Sequence, residues 1–315
     1  MLRQKFKTYS GTELLSDIKD LVLDQFGFDL KKATSPFLTL RKSQKWDCSD
    51  YTTVDFRELV QAARKPVKYL PDNKWAHQFL LGKFVGVTYV NYTDSRKMLG
   101  EIEESWHHLN EMLHEWSPRE IVKIGRNPEI LSLHHALLKY PIANQNGLIL
   151  SHIDPVAELL ALKAQAASLF STGLTRRASK NYRLQVGHQI AHVNNTQNYD
   201  FVITSGVLEK LGLGSFGEEL DAWADLDLLN IFHCVLRPGG LLYLELPVGK
   251  DNIIFNGLRI YGILRIPMLI SDFELIATFD SEHLEPSEIS AKFLWDIENF
   301  RAARRTLVLR KTGFL

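Results

Sequence analysis

The sequence predicts an α/β protein with a doubly wound, mostly parallel sheet that ends in an antiparallel edge hairpin, preceded by a mainly helical N-terminal region. From about residue 120, short apolar runs alternate with helix-length patterns, which is typical of βαβ units. The last two apolar runs have little helix between them, which favours an antiparallel pair at one edge. Before residue 120, apolar residues recur at helical spacing between proline-containing breaks.

Six short apolar runs are the candidate strands of this sheet: GLIL (147–150), ASLFS (167–171), DFVITS (200–205), GLLYLEL (240–246), FELIATF (273–279) and TLVLR (306–310). Helical patterns lie between them at 156–166 and 226–236, and in the N-terminal region at 12–26 and 94–116. We therefore expect two parts, a helical N-terminal region over 1–120 and a sheet domain over 121–315.

Composition excludes several classes of protein. The 315 residues hold 37 Lys+Arg and 37 Asp+Glu, so the formal charge is zero and an electrostatic nucleic-acid binder is not expected. The start of the chain has neither a signal-peptide pattern nor a membrane span. Cys48 and Cys234 lie far apart without a Cys/His cluster, so we expect no disulfide and no metal site. These features predict a cytoplasmic protein that binds neither nucleic acid nor membrane.

Ligands of such sheets bind beyond the carboxyl ends of the strands, so the residues that follow each strand are the candidate cofactor contacts. Ser151 and His152 follow the first strand, where a nucleotide binder would place glycine to let backbone N–H groups approach the ligand. Gly173 follows the second strand, where an acidic residue would bind the ribose hydroxyls. These positions predict a cofactor site that lacks part of its usual chemistry.

A glycine-rich loop, SGVLEKLGLGSFGEEL (205–220), follows the strand at 200–205. Its four glycines predict several positions with positive φ or close backbone approaches. Gly206 is a further candidate cofactor contact, and Glu209 and Lys210 are the candidate catalytic bases. A surface loop without a ligand is an equally open interpretation.

Downstream, the segment NGLRIYGILRIPML (256–269) is the candidate substrate-binding segment. Arginine forks match carboxylate or phosphate groups, and tyrosine offers a stacking face with a hydroxyl. Surface ion pairs are the alternative interpretation of the arginines. The candidate substrate-binding residues are Asn256, Arg259, Tyr261 and Arg265.

The stretch from Asp200 to about Phe279, with its RPGGLL turn and its LGLGSFG and RIYG segments, resembles a domain-of-unknown-function family expanded in nematodes. That family is related to class I S-adenosylmethionine-dependent methyltransferases. Weaker similarity extends back to 147–169, so the resemblance covers somewhat over half of the chain. It implies a Rossmann-like class I methyltransferase sheet, with S-adenosylmethionine over the ends of the first strands and an acceptor held by the loops near 205–220 and 247–270.

The sequence departs from the pattern of this family at positions that serve binding. Ser151 and His152 replace glycine and serine, Gly173 replaces an acidic residue, and Lys210 replaces the histidine of a Glu-His pair. Leu258 stands where a histidine would precede Arg259. The glycines, the Pro-Gly turn and the apolar strands, which the fold needs, remain.

Three hypotheses about function follow. The first is a methyltransferase-like protein with a degenerate S-adenosylmethionine site and a non-catalytic or regulatory role, exerted through a small-molecule or protein partner. The second is a divergent, active S-adenosylmethionine-dependent O-methyltransferase acting on a sugar or another small hydroxyl acceptor, because methyl transfer requires mainly alignment of donor and acceptor. The third is a protein that binds another nucleotide in the same crevice, or no ligand there.

Overall fold

The computed structural model describes residues 4–33, 37–44, 47–48, 53–55, 64–72, 74–89, 93–99, 102–125, 128–191, 199–295 and 302–312. The strands are β1 Lys5–Thr8, β2 Gly11–Leu14, β3 Phe28–Ala33, β4 Leu38–Lys42, β5 Thr53–Asp55, β6 Gly86–Thr88, β7 Asn146–Ser151, β8 Ser168–Thr172, β9 Leu184–Val186, β10 Gln189–Ala191, β11 Tyr199–Ser205, β12 Leu236–Val248, β13 Asn252–Ile254, β14 Leu258–Ile260, β15 Phe273–Phe279 and β16 Ala303–Lys311. The α-helices are α1 Leu15–Ile18, α2 Lys74–Phe79, α3 Leu109–Glu115, α4 Pro118–Ile124, α5 Leu131–Lys139, α6 Val156–Lys163, α7 Ala224–Val235, α8 Arg265–Leu269 and α9 Ala291–Trp295.

A seven-stranded sheet forms the centre of the molecule, in the order β15-β16-β12-β11-β7-β8-β9. All pairs from β9 to β12 are parallel, whereas β16 runs antiparallel to both β12 and β15. This is the doubly wound Rossmann order with an antiparallel strand inserted near one edge. The six predicted strands and the antiparallel pair are confirmed. The short strand β9 was not predicted, because its three residues form no apolar run.

The strand β7 shows how the apolar runs build two cores. Leu148 and Leu150 face a cluster that includes apolar residues of α7, whereas Ile149 faces a second cluster that includes α6. All three are fully buried, as expected for a parallel strand covered on both faces. At Gly147 a Cβ atom would lie 2.1 Å from the ring of Phe201 on β11, so close packing of these strands requires glycine there.

The N-terminal region contains short strands as well as helices. Two hairpins, β1–β2 and β3–β4, flank the predicted helix at 12–26, which is present as α1 followed by a π-helix over Lys19–Leu23. The predicted helix at 94–116 is divided into two 3-10 turns, Ser95–Leu99 and Glu104–Trp106, and α3. The strand β6 pairs in parallel with β13, so the N-terminal region contributes to a sheet formed with later residues. Within the described residues, no helix is long and apolar enough to cross a membrane.

The two cysteines form a disulfide, which corrects the expectation that they are unpaired. Cys48 bonds to Cys234 of α7 across 186 residues of sequence, with 5.6 Å between their Cα atoms. Linear spacing gives no indication of such a pair, because only the fold brings the two segments together. The disulfide also removes the unpaired cysteines as an argument for the predicted cytoplasmic location.

We expect the substitution Cys48→Ser to lower the free energy of unfolding by about 2–4 kcal/mol, because a crosslink across a long loop restricts the unfolded chain. Urea unfolding with and without a thiol reductant measures this. Reductant should lower the stability of the wild type to that of the variant and leave the variant unchanged. A peptide map without reduction that yields Cys48 and Cys234 as free thiols would contradict the pairing.

Candidate functional site

A cavity of about 140 Å³ lies at the carboxyl ends of β7, β11 and β12. The strand order changes direction between β7 and β11, and doubly wound sheets bind ligands in the crevice at this point. The cavity is lined by Gly125, Ile130, Ser151, His152, Asp154, Ala157, Ser205, Gly206, Lys210, Glu245 and Arg304.

Strand register brings three polar side chains side by side at the base of the cavity. Ser205, the last residue of β11, pairs with Ser151 on β7 and with Glu245 on β12. The hydroxyl of Ser205 donates a 2.8 Å hydrogen bond to Glu245 Oε2. The hydroxyl of Ser151 donates a 2.7 Å hydrogen bond to the buried carboxylate of Glu158 on α6. The base of the cavity is therefore polar, and hydrogen bonds to carboxylates hold the hydroxyls of Ser151 and Ser205 in place.

A largely buried arginine joins two carboxylates in the wall of the cavity. Arg304 of β16 contacts both oxygens of Glu245, with 2.7 Å between Nη2 and Oε2, and its Nη2 lies 2.9 Å from Glu209 Oε1. Both carboxylates are fully buried, and the arginine side chain is 14% exposed. Their attraction raises the pKa of Arg304 despite its burial. Such a cluster is stable only while both charges remain compensated.

Three titratable groups around the cavity have shifted pKa values. Burial, reinforced by the charge of Arg304, lowers the pKa of Lys210 to about 8, although Glu209 opposes this. Burial raises the pKa of Asp154 to about 6, and the carboxylate of Glu158 adds to the shift. Burial also lowers the pKa of His152 well below its ordinary value. Shifted pKa values of this kind in a cleft mark candidate functional sites.

The residues around the ends of β7 and β8 do not fit S-adenosylmethionine. The guanidinium of the buried Arg177 donates to the backbone oxygens of Ser151, His152 and Thr175, at 3.1 Å from His152 O and 2.9 Å from Thr175 O. A Cβ atom on Gly173 would lie 2.3 Å from Nη2 of Arg177, so this side chain fills the space above the end of β8. The remaining cavity of about 140 Å³ is smaller than the roughly 300–1,000 Å³ typical of drug-sized ligands.

Four residues predicted from the strand ends, Ser151, His152, Gly206 and Lys210, line the cavity. Two other predicted residues lie beside it: Glu209 points to Arg304, and Gly173 lies under Arg177. The glycine-rich loop is confirmed as a positive-φ loop at Gly206, Gly212, Gly214 and Gly217. At Gly206 a Cβ atom would lie 3.0 Å from Cβ of His152, so this glycine lets the histidine pack against the loop.

The candidate substrate-binding residues lie away from the cavity. Asn256 is 2% exposed, and the side chains of Arg259, Tyr261 and Arg265 are fully buried. The carboxylate of Asp225 on α7 accepts hydrogen bonds from Arg265 at 2.8 and 2.9 Å and from the hydroxyl of Tyr261 at 3.1 Å. The structure thus brings three of these residues together in an internal charged cluster, and none of the four lines the cavity.

Sequence reasoning missed several residues of the site. Arg304 and Arg177 reach it from segments that carry no recognisable motif. Glu245 was visible as a charged residue near the end of the apolar strand GLLYLEL, and this placement was the available signal. Asp154 lies in the loop after β7, where its Oδ1 accepts a 3.2 Å hydrogen bond from the backbone N–H of Val156. Among the described residues, no group of His, Cys, Asp and Glu side chains could hold a metal ion.

Several solved methyltransferases are similar to this chain. A 1,6-didemethyltoxoflavin-N1-methyltransferase from Burkholderia thailandensis is 12% identical, over 66% of this chain and 85% of that one, with a TM-score of 0.41. The N-methyltransferase NodS from Bradyrhizobium japonicum is 15% identical, over 67% and 100%, with a TM-score of 0.39. An S-adenosylmethionine-dependent methyltransferase from Mesorhizobium loti is 14% identical, over 56% and 96%, with a TM-score of 0.35.

At this level of identity and with TM-scores of 0.41 or less, these similarities assign no activity to this chain. No curated protein matches the sequence. Residues 144–312, more than half of the chain, match a family described as "Caenorhabditis protein of unknown function, DUF268". This match contains β7, β11, β12 and β16, the strands that carry Ser151, Ser205, Glu245 and Arg304. The chain therefore belongs to the DUF268 family.

Proposed function

We propose that this chain is a methyltransferase-fold protein that does not use S-adenosylmethionine and that acts by binding a small molecule or a protein partner. The observation that carries the proposal is the position of Arg177. Its guanidinium is fixed by backbone oxygens at the ends of β7 and β8, next to the crevice where a doubly wound sheet binds its ligand. A cofactor could enter only by displacing a buried arginine from several hydrogen bonds.

The chemistry of the neighbouring residues supports the same proposal. The last residue of β8, Thr172, and the next residue, Gly173, stand in place of a carboxylate for the ribose hydroxyls. A charge-assisted hydrogen bond of that kind contributes about 1.5–3 kcal/mol, so its loss alone weakens binding by one to two orders of magnitude. The cavity is also too small for a whole nucleotide, which argues against the hypothesis of another nucleotide ligand.

Calorimetric titration of the full chain with S-adenosylmethionine and S-adenosylhomocysteine tests this proposal. We expect no heat of binding and no thermal stabilisation at about millimolar ligand. A ligand present at about 100 times its dissociation constant would stabilise the fold by about 2.7 kcal/mol, so micromolar binding would not escape detection. Micromolar binding of either compound would contradict the proposal and favour a divergent O-methyltransferase with Lys210 as its base.

Two neighbouring arginines provide matched variants for the same titration. Arg177→Ala removes the side chain that fills the space above the end of β8, so weak binding of S-adenosylhomocysteine should become measurable. Arg176 is exposed, and Arg176→Ala should behave as the wild type. Equal, measurable binding by the wild type and by Arg177→Ala would show that Arg177 does not block the crevice.

A further inference from the structure

The cavity contains a lysine without a dedicated partner. Lys210 lines it, and no hydrogen bond or ion pair joins its Nζ to any residue that the structure describes. Glu209 and Glu245, two fully buried carboxylates at the cavity, are both engaged by Arg304. Lys210, His152 and Asp154 each retain partial exposure, so the cavity communicates with solvent. A small solute could therefore reach the amine of Lys210.

Charged groups from every neighbouring element act on this amine. Glu209 of its own loop, Glu245 of β12 and Asp154 after β7 favour the ammonium form, whereas Arg304 of β16 and burial favour the neutral amine. The balance lowers the pKa of Lys210 to about 8. About one amine in ten is then neutral at pH 7, compared with roughly one in three thousand for an ordinary lysine. A desolvated lysine with a lowered pKa is a typical nucleophile for carbonyl compounds.

We propose that Lys210 is a nucleophilic amine that forms a Schiff base with a small, polar aldehyde or ketone bound in the cavity. The size of the cavity sets the size of this ligand. A volume of about 140 Å³ is close to the roughly 150 Å³ of a cavity that holds benzene, which suits a carbonyl compound of about five non-hydrogen atoms. The proposal builds on the proposed function in one respect, namely that the cavity left beside Arg177 holds a ligand other than S-adenosylmethionine.

Each proton that the reaction moves can be donated or taken up by a group at the cavity. The lone pair of neutral Nζ attacks the carbonyl carbon, and the C=O π electrons move to oxygen, which takes a proton from the carboxyl group of Asp154. The nitrogen loses one proton to the Asp154 carboxylate so formed, which lines the same cavity. The resulting carbinolamine hydroxyl takes that proton and leaves as water while nitrogen forms the C=N bond. The last N–H proton returns to Asp154, so the balance is amine plus carbonyl giving imine plus water.

Reductive trapping on the full chain tests the proposal. The protein is incubated at pH 7 with glycolaldehyde and sodium cyanoborohydride, and peptide mapping gives the modification rate of each lysine. We expect Lys210 to be modified at least about tenfold faster than Lys123, an exposed lysine on α4, because of its larger neutral fraction. Asp154→Asn should slow trapping at Lys210 and leave Lys123 unchanged. Pyridoxal phosphate, which is too large for the cavity, should modify Lys123 but not Lys210.

Modification of Lys210 no faster than that of Lys123 would overturn the proposal, as would equal modification of Lys210 by pyridoxal phosphate. Lys210→Arg keeps the charge but removes the nucleophile, so this variant should lose the fast-reacting site while its melting temperature shows that it is folded. Adding S-adenosylmethionine separates this proposal from the proposed function. We expect S-adenosylmethionine to leave the modification rate of Lys210 unchanged. Slower modification of Lys210 in its presence would refute the proposed function, although Lys210 would still be a reactive amine.

Discussion

Replacing Asp225 by asparagine is expected to lower the free energy of unfolding by about 3–5 kcal/mol, the usual effect of removing one partner from a buried ion pair. The carboxylate of Asp225 is fully buried. It accepts hydrogen bonds from Nη2 of Arg265 at 2.8 Å (Oδ1) and 2.9 Å (Oδ2), and Nε of Arg259 lies 3.7 Å from Oδ2. Both arginine side chains are also fully buried. The variant leaves two guanidinium charges in the interior with no anion between them.

The pH dependence of this effect has a definite sign. Burial alone would raise the pKa of Asp225, but the charges of Arg265 and Arg259 outweigh burial and lower it. A carboxyl group with a lowered pKa in the folded state contributes stability above its unfolded pKa of about 3.9 and loses that contribution as the pH falls further. The difference between wild type and Asp225→Asn should therefore be full at pH 6–7 and shrink below about pH 4.

Urea unfolding measures both the size and the pH dependence of this difference. Glu219→Gln is the matched control, because Glu219 is 77% exposed and its ion pair with Arg64 lies at the surface. That substitution should change stability by less than about 1 kcal/mol. An equal loss of unfolding free energy in the two variants would show that the Asp225 cluster contributes no more to stability than a surface ion pair.

The Asp225 cluster also shows where interpretation of the sequence was limited. Arg259, Tyr261 and Arg265 have the chemistry of a ligand-binding set, and the same donors can equally serve a buried carboxylate. Asp225 lies 34 or more residues before them, on a different element, and no spacing rule connects the two segments. Sequence alone therefore identified side chains capable of binding an anion, and the structure supplies the anion from the chain itself.

The strands and four of the eleven cavity residues were predictable for a simple geometric reason. Apolar runs bounded by turns mark parallel strands that are buried on both faces, and FELIATF matches β15 over its whole length. Because parallel strands end at one edge of the sheet, the residues after them converge, which brings Ser151, His152 and Lys210 together. Arg304 was not predictable, since it belongs to the inserted antiparallel strand and lies 95 residues from Glu209.

Arg304→Met is expected to destabilise the protein by about 3–5 kcal/mol and to disrupt the cavity. Methionine preserves much of the side-chain volume but removes the charge that joins Glu209 and Glu245, both of which have fully buried side chains. The two carboxylates would then lie in the interior without their shared cation. Ser205 would remain as a hydrogen-bond donor to Glu245, which is too little to compensate a buried charge.

A second substitution separates the lost charge from lost packing. If uncompensated carboxylates cause the destabilisation, Arg304→Met combined with Glu245→Gln should be more stable than Arg304→Met alone, because one buried charge has been removed. Arg310→Met on the same strand is the matched control: its pair with Glu274 is about half exposed on both sides, so the expected change is below about 1 kcal/mol. If Glu245→Gln restores no stability to Arg304→Met, Arg304 stabilises the protein through packing. Compensation of the two buried carboxylates is then not its role.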